Sequence, residues 1–129
     1  AAMELPDGTI ITGKTSNLLG ASSALILNAL KYFGEIDNDI LLMSPDVIEP
    51  IQNLKVQHLG NNNPRIHTDE TLIALSICAN TDPNAKKAME QLSKLRGCEV
   101  HSTVILSQVD ERTFKRLGVN LTCEPKYQA

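Results

Sequence analysis

The segment VHSTVILSQVDERTFKRLGVNLTC, residues 100–123, decides the fold class. Val100 to Leu106 is rich in β-branched and aliphatic residues and reads as a strand. Ser107-Gln108-Val109-Asp110 has the form of a capping box with Asp in the Glu position, so a helix starts there and runs to Leu117. Gly118 ends that helix, and Val119 to Cys123 reads as a second strand. Two strands joined by one short helix favour parallel pairing, because a right-handed crossover is the only low-energy return.

Upstream, Thr68 is expected as an N-cap, followed by Asp69 and Glu70, whose charges suit the first turn of a helix. Leu72, Ile73, Ala74, Leu75, Ile77 and Cys78 make that helix nearly all apolar. Asp82-Pro83 starts a further helix, amphipathic through Ala85, Ala88, Met89, Leu92 and Leu95, with Gly97 beyond its end. Gly60-Asn61-Asn62-Asn63-Pro64 is a loop. Further back, Ala21 to Phe33 forms a helix closed by Gly34; with so little polar face, it is expected to be largely buried. Ile40 to Met43 reads as a short buried strand. Pro50 is expected to split the next stretch into one turn at Pro45 to Ile48 and a helix from Pro50 to about Leu59. At the start, Met3-Glu4-Leu5 and Thr9 to Thr12 flank Pro6-Asp7-Gly8, the composition of a hairpin turn. The expected architecture is α/β: layered helices on a mixed sheet, with an N-terminal β-hairpin and a C-terminal strand-helix-strand unit. Residues 1–129 have the size of a single domain.

Hydrophobic residues make up 42% of the chain, enough for a core, but aromatics are only 3% and Trp is absent. The core must therefore be aliphatic. Fifteen acidic and twelve basic residues are interspersed, for a net charge of -3. With no basic stripe and almost no aromatics to stack on bases, nucleic acid is not an expected partner. No apolar run approaches the roughly 18 residues of a membrane span, so no membrane partner is expected. Three widely spaced cysteines, Cys78, Cys98 and Cys123, fit reduced thiols in a cytoplasm better than a disulfide scaffold.

Gly8-Thr9-Ile10-Ile11-Thr12-Gly13-Lys14-Thr15 matches the P-loop pattern letter for letter. The four residues between the glycines are all β-branched and favour an extended strand over a curled phosphate loop. The expectation is a hairpin strand, with Ile10 and Ile11 on opposite faces and Lys14 at its far end. The histidines, His58, His67 and His101, lack the His-Glu-x-x-His spacing of a zinc protease, so no metal and no cofactor are expected.

Asn63 to Glu70 gathers Arg65, His67, Asp69 and Glu70 in a loop leading into a helix. The competing reading is that these residues only cap that helix. Gly20-Ala21-Ser22-Ser23 offers small residues and free amides at a helix start, where an anion can bind. Close packing explains the small residues equally well. Cys98 lies near Arg96 and His101, which would lower its thiol pKa if they met in space; a buried inert thiol is the alternative.

Several strings resemble bacterial proteins of the domain-of-unknown-function 1846 family, also called uncharacterised protein family 0371. They are Glu4-Leu5-Pro6-Asp7-Gly8, Thr12-Gly13-Lys14-Thr15-Ser16, Leu18-Leu19-Gly20-Ala21-Ser22, Ser44-Pro45-Asp46-Val47-Ile48-Glu49-Pro50-Ile51-Gln52, Asn63 to Glu70, Leu95-Arg96-Gly97-Cys98-Glu99 and Val104 to Asp110. The resemblance covers the whole chain and implies the C-terminal domain of a longer cytoplasmic protein. In that family a glycine-rich, nucleotide-type loop lies in the N-terminal part. The resemblance also brings a description as ATP-dependent peptidases, which nothing in this chain supports, and no established catalytic residues.

Two functions from different classes fit these residues. One is a noncatalytic assembly module that packs against its own N-terminal domain and forms a homo-oligomer, because two nearly all-apolar helices need cover. The other is half of an enzyme site at an interdomain cleft binding a phosphate- or carboxylate-bearing small molecule. Its anion would be held by Arg65, Gly20, Ser22 and Ser23, and its chemistry carried by His67, Asp69, Cys98 and His101. That reading requires Arg65 and His67 to open onto one concavity.

Overall fold

The computed structural model describes residues 1–123. Its hairpin pairs β1, Ala2–Glu4, with β2, Ile10–Thr12, in antiparallel register Met3 to Ile11. Asp7 closes the turn by accepting the Thr9 amide at 2.9 Å, and Gly8 supplies the positive φ of 88°. Two further strands, β3 at Glu99–Ser102 and β4 at Asn120–Cys123, complete a sheet in the order β2-β1-β3-β4. Pairing is antiparallel between β1 and β3 and parallel between β3 and β4, so the sheet is mixed.

Directly paired residues share a face of a sheet. Ile11, Met3, Val100 and Leu121 therefore form one row across the four strands, with Met3 and Val100 fully buried. Helix α1, Ala21–Phe33, packs on the hairpin through Leu25, Ile26 and Leu30, and α5, Gln108–Arg116, crosses from β3 to β4 with Phe114 buried. The opposite face of the sheet carries exposed Glu4, Ile10, Glu99 and His101. Helices α3, Thr68–Cys78, and α4, Pro83–Met89, pack beside α1.

The hairpin, the buried α1 and the parallel crossover agree with the sequence; several local expectations do not. Ile40 to Met43 forms no strand, although Leu42 and Met43 are buried, because no strand of the described sheet offers them a ladder. Pro50 does not divide the chain. A single helix, α2, runs over Pro45–Asn53 with Pro45 in its first turn, then widens into a π-helical turn at Leu54–His58. The bond lost at Pro50 frees the Asp46 carbonyl, which lies on the exposed side where water serves it. The fourth helix stops at Met89, and its apolar pattern continues through a 3-10 turn, Leu92–Leu95. Strand β3 ends at Ser102 instead of Leu106, where the Ser102 hydroxyl donates to the Val104 carbonyl at 2.8 Å and turns the chain.

The P-loop look-alike is the second hairpin strand and its exit. Ile10 is exposed while Ile11 packs against the core, so they occupy opposite faces as expected. Gly13 has a packing reason: a Cβ there would lie 2.4 Å from the Leu25 amide nitrogen and 2.6 Å from the Ala21 carbonyl oxygen. Only a residue without a side chain lets β2 cross the first turns of α1 this closely. Gly13→Ala should therefore destabilise the domain by about 3 kcal/mol. Lys14→Ala, at an exposed position, should leave both the denaturation midpoint and any thermal shift with ATP unchanged. ATP-dependent stabilisation lost in Lys14→Ala would overturn the hairpin reading.

Candidate functional site

His67 enters α3 in extended backbone, Ile66 forms an isolated bridge and Arg65 lies in a bend. The Ile66 side chain is fully buried. All three residues line a cavity of about 400 Å³. Ile66 forms a parallel bridge with Leu19: its amide donates to the Leu18 carbonyl at 3.1 Å, and its carbonyl accepts from the Gly20 amide at 3.4 Å. This bridge brings the start of α1 to the same place, and Gly20, Ala21 and Ser22 line the cavity too.

A buried lysine holds the loop behind the site. Lys55, in the π-helical turn, donates to the Arg65 carbonyl at 2.7 Å and to Glu70 Oε1 at 2.9 Å. The same Glu70 oxygen accepts from the His67 amide at 2.8 Å. Both ends of the Arg65–His67 segment are thereby tied to one ion pair. On the solvent side, Arg65 Nε donates to the Ser16 carbonyl, which orients the guanidinium and leaves its terminal nitrogens for a ligand.

The N-cap of α3 is His67, one residue before the expected Thr68. Thr68 is the first helical residue and is fully buried; its amide and hydroxyl both donate to Asp110 Oδ1, at 3.0 and 2.8 Å. The other carboxylate oxygen, Oδ2, lies 3.7 Å from His67 Nδ1. Asp110 is the site residue that sequence reasoning missed. It appears there as the short member of a capping box, and half of that box forms, since Ser107 Oγ accepts the Asp110 amide at 3.3 Å. The carboxylate itself turns instead to the positive end of α3, placing an anion where the helix dipole favours one.

The remaining candidates lie elsewhere. Ser23 is buried and donates to the Ile66 carbonyl at 3.1 Å. Asp69 is exposed and accepts the Glu70 amide. Cys98 is fully buried with Sγ 3.6 Å from the Lys94 carbonyl; burial first, and the charge of Asp7 second, raise its pKa. That thiol is the inert alternative and not an activated nucleophile. His101 sits on the open face of the sheet, in a different concavity with Glu4, Ile10 and Thr122. Among the described residues no group of three or more His, Cys, Asp or Glu is placed to hold a metal ion. No helix among them is long and apolar enough to cross a membrane.

The profile of the domain of unknown function DUF1846, C-terminal, matches residues 1–129. The chain belongs to this family. Curated relatives carry the name UPF0371 protein. That of Corynebacterium diphtheriae is 61% identical over 98% of this chain, which covers 26% of the relative's length. Those of Clostridium tetani and Streptococcus pneumoniae serotype 19F are 51% and 48% identical, again over 98% of the chain and 25% and 26% of their own lengths. The chain thus spans about a quarter of the relatives it matches.

Because Asp110 satisfies two buried donors at once, Asp110→Ala should cost about 2–3 kcal/mol in a urea denaturation. Thr68→Ala should cost about 1 kcal/mol through the lost hydroxyl bond, not through a lost cap. Equal stability of Asp110→Ala and the parent would rule out this arrangement.

Proposed function

We propose that the domain supplies an oxyanion-binding half-site, completed by the rest of a longer polypeptide, for a small molecule bearing phosphate or carboxylate. One observation carries this reading: Arg65, His67 and the first turn of α1 line a single cavity. Arg65 takes the anion through the terminal nitrogens of its fork, and the α1 amides add donors aligned with the helix dipole. In this reading His67 holds or moves a proton on the bound molecule, with an Asp110 carboxylate oxygen 3.7 Å from its Nδ1. Asp69, Cys98 and His101 have no part in this reading, and Ser23 contributes only the bond that fixes Ile66.

The cleft geometry fits the relatives' size. The family match is to a C-terminal region, and in the relatives about three quarters of the chain lies outside it. Ala1 lines the same cavity as Arg65. Polypeptide preceding the matched region in such relatives would therefore arrive at the rim of this site.

The test is thermal denaturation of the full-length protein in phosphate against sodium chloride of equal ionic strength, which separates binding from screening. Phosphate at tenfold its Kd should add about 1.4 kcal/mol of stability. Arg65→Ala should abolish that gain while changing ligand-free stability by no more than about 0.5 kcal/mol. Equal stabilisation of parent and Arg65→Ala by phosphate would sink the half-site.

A noncatalytic packing role keeps one specific observation in its favour. Ile73 and Ile77, one turn apart on α3, are 61% and 62% exposed. Such a pair is suited to cover by the remaining polypeptide or by a second copy. Ile73→Ser with Ile77→Ser should lower the apparent mass of the full-length protein in sedimentation, or loosen its domain contact as read by limited proteolysis. If neither change occurs, the packing role is refuted.

A further inference from the structure

We infer that the occupant of the Arg65–His67 cavity is the phosphate monoester of a sugar or other polyol, and not a nucleotide or a simple carboxylate. This rests on the half-site reading and narrows its ligand class.

The donor set favours a tetrahedral anion. The first-turn amides of Ala21 and Ser22 have no acceptor among the described residues, and no acidic residue stands in that turn. Ser22 is only 3% exposed and lines the cavity, yet its hydroxyl has no protein partner among the described residues. It is also not among the atoms sealed from solvent, so it opens into the cavity. With no protein partner, this hydroxyl is left to bond to whatever occupies the cavity. With Arg65 approaching from the Ile66 side, donors reach the anion from the α1 end and from the loop at once. A planar carboxylate presents its acceptors in one plane, whereas phosphate offers three oxygens to separate directions.

The rest of the cavity describes the body attached to that phosphate. About 400 Å³ is far more than inorganic phosphate needs, and lies at the small end of ligand pockets. Thr15, Asn63 and Thr103 supply hydroxyl and amide groups on its walls. No Phe, Tyr or Trp side chain lines it; Tyr32 and Phe33 stand at the other end of α1, roughly 15 Å along its axis. A nucleobase would find no large ring on which to stack, only the His67 imidazole and the Arg65 plane that the phosphate engages, while a hydroxylated chain or ring would find partners for its hydroxyls.

Calorimetric titration of the full-length protein with glycerol 3-phosphate, ribose 5-phosphate, glucose 6-phosphate, AMP, citrate and inorganic phosphate tests this. At least one of the three polyol phosphates should bind about tenfold or more tighter than AMP, citrate and inorganic phosphate. Arg65→Ala and Ser22→Ala should each weaken it by about tenfold. Arg112→Ala, exposed on α5 and outside the cavity, should leave it unchanged. Arg65→Lys keeps the charge and loses the fork, and it replaces Arg65→Ala if that variant does not fold. Tightest binding of AMP or citrate with the same dependence on Arg65 overturns the ligand class and leaves the half-site standing. Polyol phosphates no tighter than inorganic phosphate overturn the class in the same way. No binding by any of the six, or binding indifferent to Arg65, overturns both.

Discussion

The backbone of Ile66 is the joint on which the arrangement depends. Its amide reaches the Leu18 carbonyl, its carbonyl takes both the Gly20 amide and the Ser23 hydroxyl, and its side chain is fully buried. One residue thus fastens the loop after residue 60 to the start of the central helix. Its neighbours, Arg65 and His67, line the cavity beside it. Without this bridge the start of α1 and the Arg65 loop would be two unrelated surface features.

Electrostatics reinforce the joint from behind. Lys55 is 3% exposed, and its ammonium is paired with Glu70 and an additional carbonyl. A lone buried charge of this kind would be strongly destabilising, so removal of either partner costs more than the pair contributes. The π-helical turn gives Lys55 its reach. Widening the helix by one residue per turn redirects the side chain toward the loop, and the Asn61 amide bonds back to the Lys55 carbonyl at 2.9 Å.

The legible parts of the sequence were those whose signals are local. Pro6-Asp7-Gly8 fixed the hairpin, the apolar run after Ala21 fixed a buried helix, and the Ser107 cap with Gly118 fixed the crossover that makes β3 and β4 parallel. Two of the errors, at Ile40 to Met43 and at Thr68, needed a partner distant in sequence; that at Pro50 needed only the exposure of its own helix. Burial of Leu42 and Met43 looks like a strand until the sheet proves to have no place for it. Pro50 looks like a break until Asp46 proves to face water. Thr68 has the composition of a cap, but its hydroxyl serves an aspartate 42 positions away. The same holds for the site. Arg65 and His67 could be grouped because one loop holds both, whereas the role of Asp110 rests on that distant contact. Cys98 and His101, near neighbours in sequence, are apart in the fold: Cys98 is buried just before β3 and His101 is on the open face of that strand.

Three helices begin around the cavity: α1 at Gly20, α3 at His67 and α5 just after Leu106, with lining residues from all three starts. Each start carries about half a positive charge. Acidic side chains stand in the first turns of α3 (Asp69, Glu70) and α5 (Asp110, Glu111), whereas the first turn of α1 has none. The start of α1, beside the Arg65 guanidinium, is thus the one of the three with no acidic residue in its own first turn. An anion entering the proposed half-site would meet that end, and its attraction would weaken as added salt shortens the reach of the field.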